Sequence, residues 1–129
     1  MNKKPSIETP LKRAEGLGSA HGGVHHWLMQ RVTAVALLPL VVWFVASVIA
    51  LVHADHATFL DYFTAPINAV LMAVVVVFSF YHAALGLQEI IEDYVHGKFV
   101  KLVALLVVKF GLLLLGIFTV LAIIKMHLA

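Results

Sequence analysis

Three long stretches free of Asp, Glu, Lys and Arg dominate this chain: Val32–Ala54, Tyr62–Gln88, and Leu102–Val108, resuming from Phe110 to Ile124 after a single lysine. Each approaches or exceeds the about 20 residues that carry an α-helix across about 30 Å of hydrocarbon. Hydrocarbon cannot solvate a free N–H or C=O, so such runs read as helices, whose backbone groups bond within their own segment. The chain is 62% hydrophobic and 12% charged, and a soluble domain carries about twice that charge. The expected fold is an all-α membrane protein with three transmembrane helices, at about 27–53, 66–92 and 100–126. Too little polar chain remains for a second folded domain. Residues 1–24 read as a polar N-terminal arm and 25–129 as the three-helix anchor domain.

The basic residues set the expected topology. Lys3, Lys4, Lys12, Arg13 and Arg31 precede the first span, and Lys98 and Lys101 follow the second. The loop between the first two spans has no Lys or Arg, and only Lys125 follows the third. Positive charge gathers on the cytoplasmic side of membrane proteins, so the N-terminus is expected in the cytoplasm and the C-terminus outside. The leader "MNKKPSIETPLKRAEGLGSAHGG" carries prolines, glycines and charges but no apolar segment of its own, and reads as an extended arm, not a secretory signal. Glu8 and Glu15 also argue against a mitochondrial transit peptide. Within the first span, Pro39 removes one backbone hydrogen bond and is expected to kink the helix. Pro66 suits the first turn of the second helix, where a missing N–H costs nothing.

Composition also excludes several chemistries. Without cysteine there is no disulfide, no thiolate catalysis and no iron–sulfur cluster held by this chain alone. A pI near 9.1 comes with no basic stripe or recognition motif, so nucleic acid is not an expected partner.

The informative exception to the apolar pattern is "YHAALGLQEIIEDYVHGK". An ionisable side chain at membrane depth is a functional candidate by default, and His82 lies seven residues before Glu89, roughly 10 Å inside the interface. Ser79, Gly86 and Glu89 fall within about 60° of it around the helix. Gly86 removes the side chain that would block a flat ligand or a neighbouring helix. His82 then has three readings: a hydrogen bond across a helix interface, a cofactor ligand, or a proton relay. For a six-coordinate haem, a second axial ligand is needed at the same depth. His21, His25, His26 and His96 belong to the cytoplasmic side, while His53, His56 and His127 lie toward the other surface, about 10 Å or more away in depth. A bis-histidine haem therefore demands a partner subunit. A five-coordinate haem needs a distal pocket that little in the sequence suggests.

Further candidates gather at the cytoplasmic rim, in "HHWLMQR" and "EDYVH". Arg31 offers charge-assisted hydrogen bonds to a propionate or a quinone carbonyl, or else it is a topology arginine reaching for headgroups. Tyr94 is a hydrogen-bond donor for a reducible oxygen or an interface-belt tyrosine, and Asp93 a proton carrier or a solvated helix-end charge. Lys109, inside the third span, either snorkels to the cytoplasmic face or pairs with Glu89 or a propionate.

Taken jointly, "GGVHHWLMQRVTA" and "HAALGLQEIIEDYVH" resemble the small membrane-anchor subunit, the D subunit, of bacterial succinate dehydrogenase (complex II). The pattern H-x-W-x-x-Q-R-x-T-A is matched by His25, Trp27, Gln30, Arg31, Thr33 and Ala34. The pattern H-x-x-x-G-x-x-x-x-x-x-D-Y is matched by His82, Gly86, Asp93 and Tyr94. The resemblance covers the whole chain. It implies that His82 is an axial ligand of haem b, whose other ligand comes from the sister cytochrome b anchor subunit. It likewise implies that Tyr94 and Asp93 bind ubiquinone, and that Arg31, with His25 beside it, lies near the haem propionates or the quinone pocket. The partners implied are that sister anchor, an iron–sulfur subunit and a flavoprotein subunit. Together they would oxidise succinate and pass electrons to quinone at the bacterial inner (cytoplasmic) membrane, this chain being non-catalytic alone. The doubled His25–His26 and Lys109 depart from the pattern. The alternatives are the anchor of a related quinol:fumarate reductase, a small proton-relay or transport protein, and a purely structural tether.

Overall fold

The protein is described as a computed structural model, in which residues 21–129 are placed; the expected arm lies largely outside the described residues. Among the described residues, four helices follow one another: α1 (His21–Leu51), α2 (His56–Thr64), α3 (Pro66–Tyr94) and α4 (Lys98–Leu128). Three of them, α1, α3 and α4, are long and apolar enough to cross a membrane. The all-α architecture and the three spans agree with the sequence reading. Their ends lie a few residues from those expected, most of all at α1, which already begins at His21 and so takes in the Gly22–Gly23 pair. The helix runs through Pro39, and Pro66 occupies the first turn of α3.

The short helix α2 was read as loop, and the charge-free run from Tyr62 onward crosses a helix boundary instead of forming one span. Asp55 supplies the reason: its carboxylate accepts from the Thr58 N–H at 2.9 Å and caps the first turn. The Phe59 and Phe63 rings, one turn apart, then pack tilted at 56° with centroids 4.9 Å apart, and Phe63 is buried. The Asn68 side-chain amide donates to the Tyr62 carbonyl at 2.8 Å across the α2–α3 corner, where Pro66 offers no N–H. The His127 Nδ1–H donates to the Thr64 carbonyl at 2.6 Å, tying the end of α4 to the end of α2.

The helix α3 is the spine. It packs against α1 on one flank and α4 on the other, with α2 seated across the ends of α3 and α4. Of the six buried apolar residues among the described residues, Ala69, Val75, Val76, Leu85 and Ile91 belong to α3. The predominantly apolar helix α4 buries none, and residues such as Leu114 and Phe118 face outward. A soluble chain could not carry so much exposed apolar surface; here lipid or partner helices are its natural cover.

Candidate functional site

Of the expected site residues, His82 lies in the seam where α1 and α3 run antiparallel. His26, Gln30 and Thr33 recur at four- and three-residue spacing on α1, which places them on one face. Opposite them on α3 stand Glu89, Gly86 and His82. Three contacts close the seam. His26 Nε2 lies 3.3 Å from a Glu89 carboxylate oxygen, too poorly aligned for a hydrogen bond, so the contact is electrostatic when the ring is charged. The Gln30 amide packs over Gly86, its Nε2 only 3.3 Å from where a Cβ would stand. Deepest of the three, Thr33 Oγ1 is 2.9 Å from His82 Nδ1.

His82 is therefore half-buried against α1, and Gly86 makes room for the Gln30 side chain. Of the two uses expected for that glycine, the structure has the neighbouring helix in place. The Thr33 hydroxyl also contacts the Met29 carbonyl at 2.7 Å and the Gln30 carbonyl at 3.1 Å. A hydroxyl has one proton, and both carbonyls can only accept. With that proton on a carbonyl, the Thr33 oxygen is an acceptor for the Nδ1–H tautomer of His82, in which Nε2 is unprotonated. That nitrogen has no protein partner among the described residues. Among the described residues, no group of three or more His, Asp or Glu side chains gathers to hold a metal ion by itself. A haem, whose macrocycle supplies four nitrogens, asks this chain for one bare imidazole nitrogen. His82 fits that requirement.

The other candidates are at the same end of the bundle but are not joined to His82. Asp93 and Tyr94 close α3; Asp93 is exposed and Tyr94 is 79% exposed. Arg31 and His25 are exposed too. The Arg31 guanidinium lies over the Trp27 ring, 5.5 Å from its centroid, on the side of α1 turned about 160° from Thr33 at helical spacing. Lys109 does not pair with Glu89, whose ionic neighbour is His26. It lines an open groove of about 620 Å³ between α3 and α4 with Gln88, Tyr81, Gly116 and several aliphatic residues. The groove is almost wholly apolar and opens on the other side of α3 from the seam. Near the opposite end of the bundle, the Ser47 and Tyr62 hydroxyls lie 2.8 Å apart, with Ser47 bonded also to the Trp43 carbonyl.

Sequence reasoning gave no role to Gln30 or Thr33, nor did it pair His26 with Glu89. The signal was present: His26, Gln30 and Thr33 form a polar stripe at helical spacing at the mouth of an apolar helix. Each was read by residue type, not by the face it shares.

Residues 5–124 match the family described as succinate dehydrogenase/fumarate reductase transmembrane subunit. Among curated relatives, the chain is 39% identical over 104 residues to the succinate dehydrogenase hydrophobic membrane anchor subunit of Paracoccus denitrificans, covering 80% of each. It is 35% identical over 99 residues to the anchor subunit of the same name from Rickettsia bellii, covering 77% of this chain and 79% of that one. To the membrane anchor subunit of Reclinomonas americana it is 27% identical over 90 residues. No solved structure matches.

Proposed function

The chain belongs to the succinate dehydrogenase/fumarate reductase transmembrane subunit family, and we propose that, as the membrane anchor of succinate dehydrogenase, it co-ligates a haem b and forms one wall of a ubiquinone-reduction site. The anchor role and the multi-pass membrane setting follow from the family and the three apolar helices. The observation that carries the haem part is His82 at membrane depth with Nδ1 held by Thr33 and no hydrogen-bond partner at Nε2 among the described residues. A single imidazole with its other nitrogen hydrogen-bonded is the ligand that a haem shared between two chains requires.

In this reading a sister cytochrome b anchor would supply the haem's other histidine, and an iron–sulfur and a flavoprotein subunit would oxidise succinate on the cytoplasmic face of a bacterial inner membrane. The bound haem supplies a one-electron carrier. The residues of this chain do the rest. His82 would hold the iron at membrane depth, and Arg31 and His25 would offer positive charge and hydrogen bonds to propionates or to a quinone oxygen. Tyr94, exposed at the end of α3, donates a hydrogen bond to a quinone carbonyl, and Asp93 beside it passes protons from the cytoplasm. Reducing a quinone to its quinol takes two electrons and two protons, so the site must lie where both arrive. The interface end of α3 meets that need.

A proton-conducting role for the seam is disfavoured by what lies beyond His82. The buried α3 positions further along are Val76, Val75 and Ala69, and none carries a proton. The test is the optical and EPR spectrum of the assembled complex. His82→Leu is expected to abolish low-spin bis-histidine haem, leaving any residual haem high-spin. An unchanged low-spin spectrum refutes the ligand assignment.

A further inference from the structure

We infer that Thr33 is the positioning residue for His82, fixing its ring with the proton on Nδ1 and the Nε2 lone pair free for iron; this rests on the haem reading above. Thr33 is 3% exposed, and buried hydroxyls in folded chains are hydrogen-bonded for a physical reason. Its single proton is committed to the carbonyl oxygens of Met29 at 2.7 Å and Gln30 at 3.1 Å, so its oxygen faces His82 as an acceptor. The tautomer of His82 is thus set by proton counting on a neighbouring helix. The same bond fixes the rotation of the ring, because a flip about Cβ–Cγ carries Nδ1 away from Thr33 and leaves a buried acceptor unpaired.

Thr33 touches no cofactor atom and acts only through His82. Imidazoles that bind metals donate their other N–H to such an acceptor, which orients the ring and raises the basicity of the coordinating nitrogen. A more basic nitrogen favours the ferric state over the ferrous. Losing the acceptor should therefore weaken ferric binding more than ferrous binding and raise the midpoint potential.

The decisive pair of variants is Thr33→Val, which replaces the hydroxyl by a methyl in nearly the same shape, and Thr33→Ser, which keeps the hydroxyl. Both are made in the assembled complex. Thr33→Val should weaken haem retention by about 10–100-fold. A tenfold loss confined to the ferric form raises the one-electron midpoint by about 59 mV. Thr33→Ser should match the wild type in both readouts, which a purely steric role would not predict. Wild-type potential and retention in Thr33→Val overturn the inference, as does a Thr33→Ser shift as large as that of Thr33→Val. If Thr33→Val does not assemble, nitrogen NMR of the histidine-labelled full chain in bilayers reads the tautomer directly, with His82→Gln assigning the signal. A proton on Nδ1 upholds the inference and a proton on Nε2 overturns it. The two readings fail separately. An unchanged spectrum in His82→Leu sinks the haem reading and this inference with it, whereas a His82-dependent haem indifferent to Thr33→Val sinks only the role of Thr33.

Discussion

Gly86 is the position where the α1–α3 seam is most sensitive to one added side chain. Its missing Cβ would stand 3.3 Å from Gln30 Nε2, closer than ordinary van der Waals contact. Two effects oppose each other in Gly86→Ala. Alanine recovers about 0.5–1 kcal/mol of backbone entropy in a helix. Against it stands a displacement of a few tenths of an ångström by the end of a flexible amide. The Oε1 of that amide already has no partner among the described residues, so moving it sacrifices no protein hydrogen bond at that atom. Gly86→Ala should therefore change stability by less than about 1 kcal/mol.

Gly86→Leu is a different case, because three further carbons must enter the same space and α1 has to move away. Overpacking of this kind costs about 1–3 kcal/mol. The movement also stretches the Thr33–His82 bond one turn deeper, worth about 0.5–1.5 kcal/mol more. The summed loss is about 1.5–4.5 kcal/mol, or roughly one to three decades in the folded fraction. Far-UV circular dichroism of the chain in lipid–detergent micelles, titrated with denaturing detergent, measures the midpoint shift, and haem retention in the complex reports the same displacement at His82. Equal behaviour of the alanine and leucine variants, or a loss above about 3 kcal/mol in Gly86→Ala, would refute the packing argument.

Tyr94→Phe keeps the ring but deletes the phenol donor. Removing a donor aimed at developing charge costs about 2.7–4 kcal/mol, or two to three decades in rate, and the exposure of Tyr94 should reduce that. Succinate:quinone activity should fall clearly while succinate oxidation with a soluble artificial acceptor stays intact; quinone reduction at the wild-type rate makes Tyr94 an interface tyrosine only. At the other end of the bundle, hydrogen bonds from Thr58, its side chain first and its backbone N–H second, hold the Asp55 carboxyl below its ordinary value of 3.8. The depressed folded-state value means that the cap stabilises α2 above the usual carboxylate range and is lost as pH falls through that lower value. Amide exchange at Thr58 and Phe59, corrected for intrinsic rates, should accelerate on acidification in the wild type and lose that dependence in Asp55→Asn, which still caps. An identical acid response in the variant would remove Asp55 as the cause.

What the sequence made legible follows from physics that acts locally. A charge-free run long enough to span hydrocarbon has few alternatives to a helix, so α1, α3 and α4 were readable, and Pro66 marked the start of α3 to the residue. The helix α2 was missed because it is short and lies in a segment with no basic residue to mark it. Its cap, Asp55, and the Phe59–Phe63 pair gain meaning only once both are placed on one turn. At the site, depth arithmetic singled out His82 from eight histidines. The partner of its Nδ1 was not legible, because Thr33 and His82 are separated by 49 positions and only the antiparallel register of α1 on α3 brings them together.

That register orders the seam by charge as well as by position. At the outer end stand the titratable pair His26 and Glu89, with side chains 20% and 47% exposed. One turn in comes the neutral amide of Gln30, and a further turn in the hydroxyl–imidazole contact of Thr33 and His82. The cost of burying a polar group rises steeply from a hydrogen-bonded hydroxyl to an ion, so a helix pair entering hydrocarbon can keep polar groups only in this sequence. The gradient also explains why the deepest member is a histidine whose Nδ1–H is spent on a threonine. A carboxylate there would need a partner charge, which the apolar helix α4 does not supply at that seam. A neutral imidazole needs one acceptor within its own chain and leaves one lone pair unspent. His26 Nε2 and Gln30 Oε1, nearer the outer end, have no hydrogen-bond partner among the described residues, while at the deepest step His82 spends Nδ1 on Thr33 and in the proposed reading offers Nε2 to a haem shared with a second subunit.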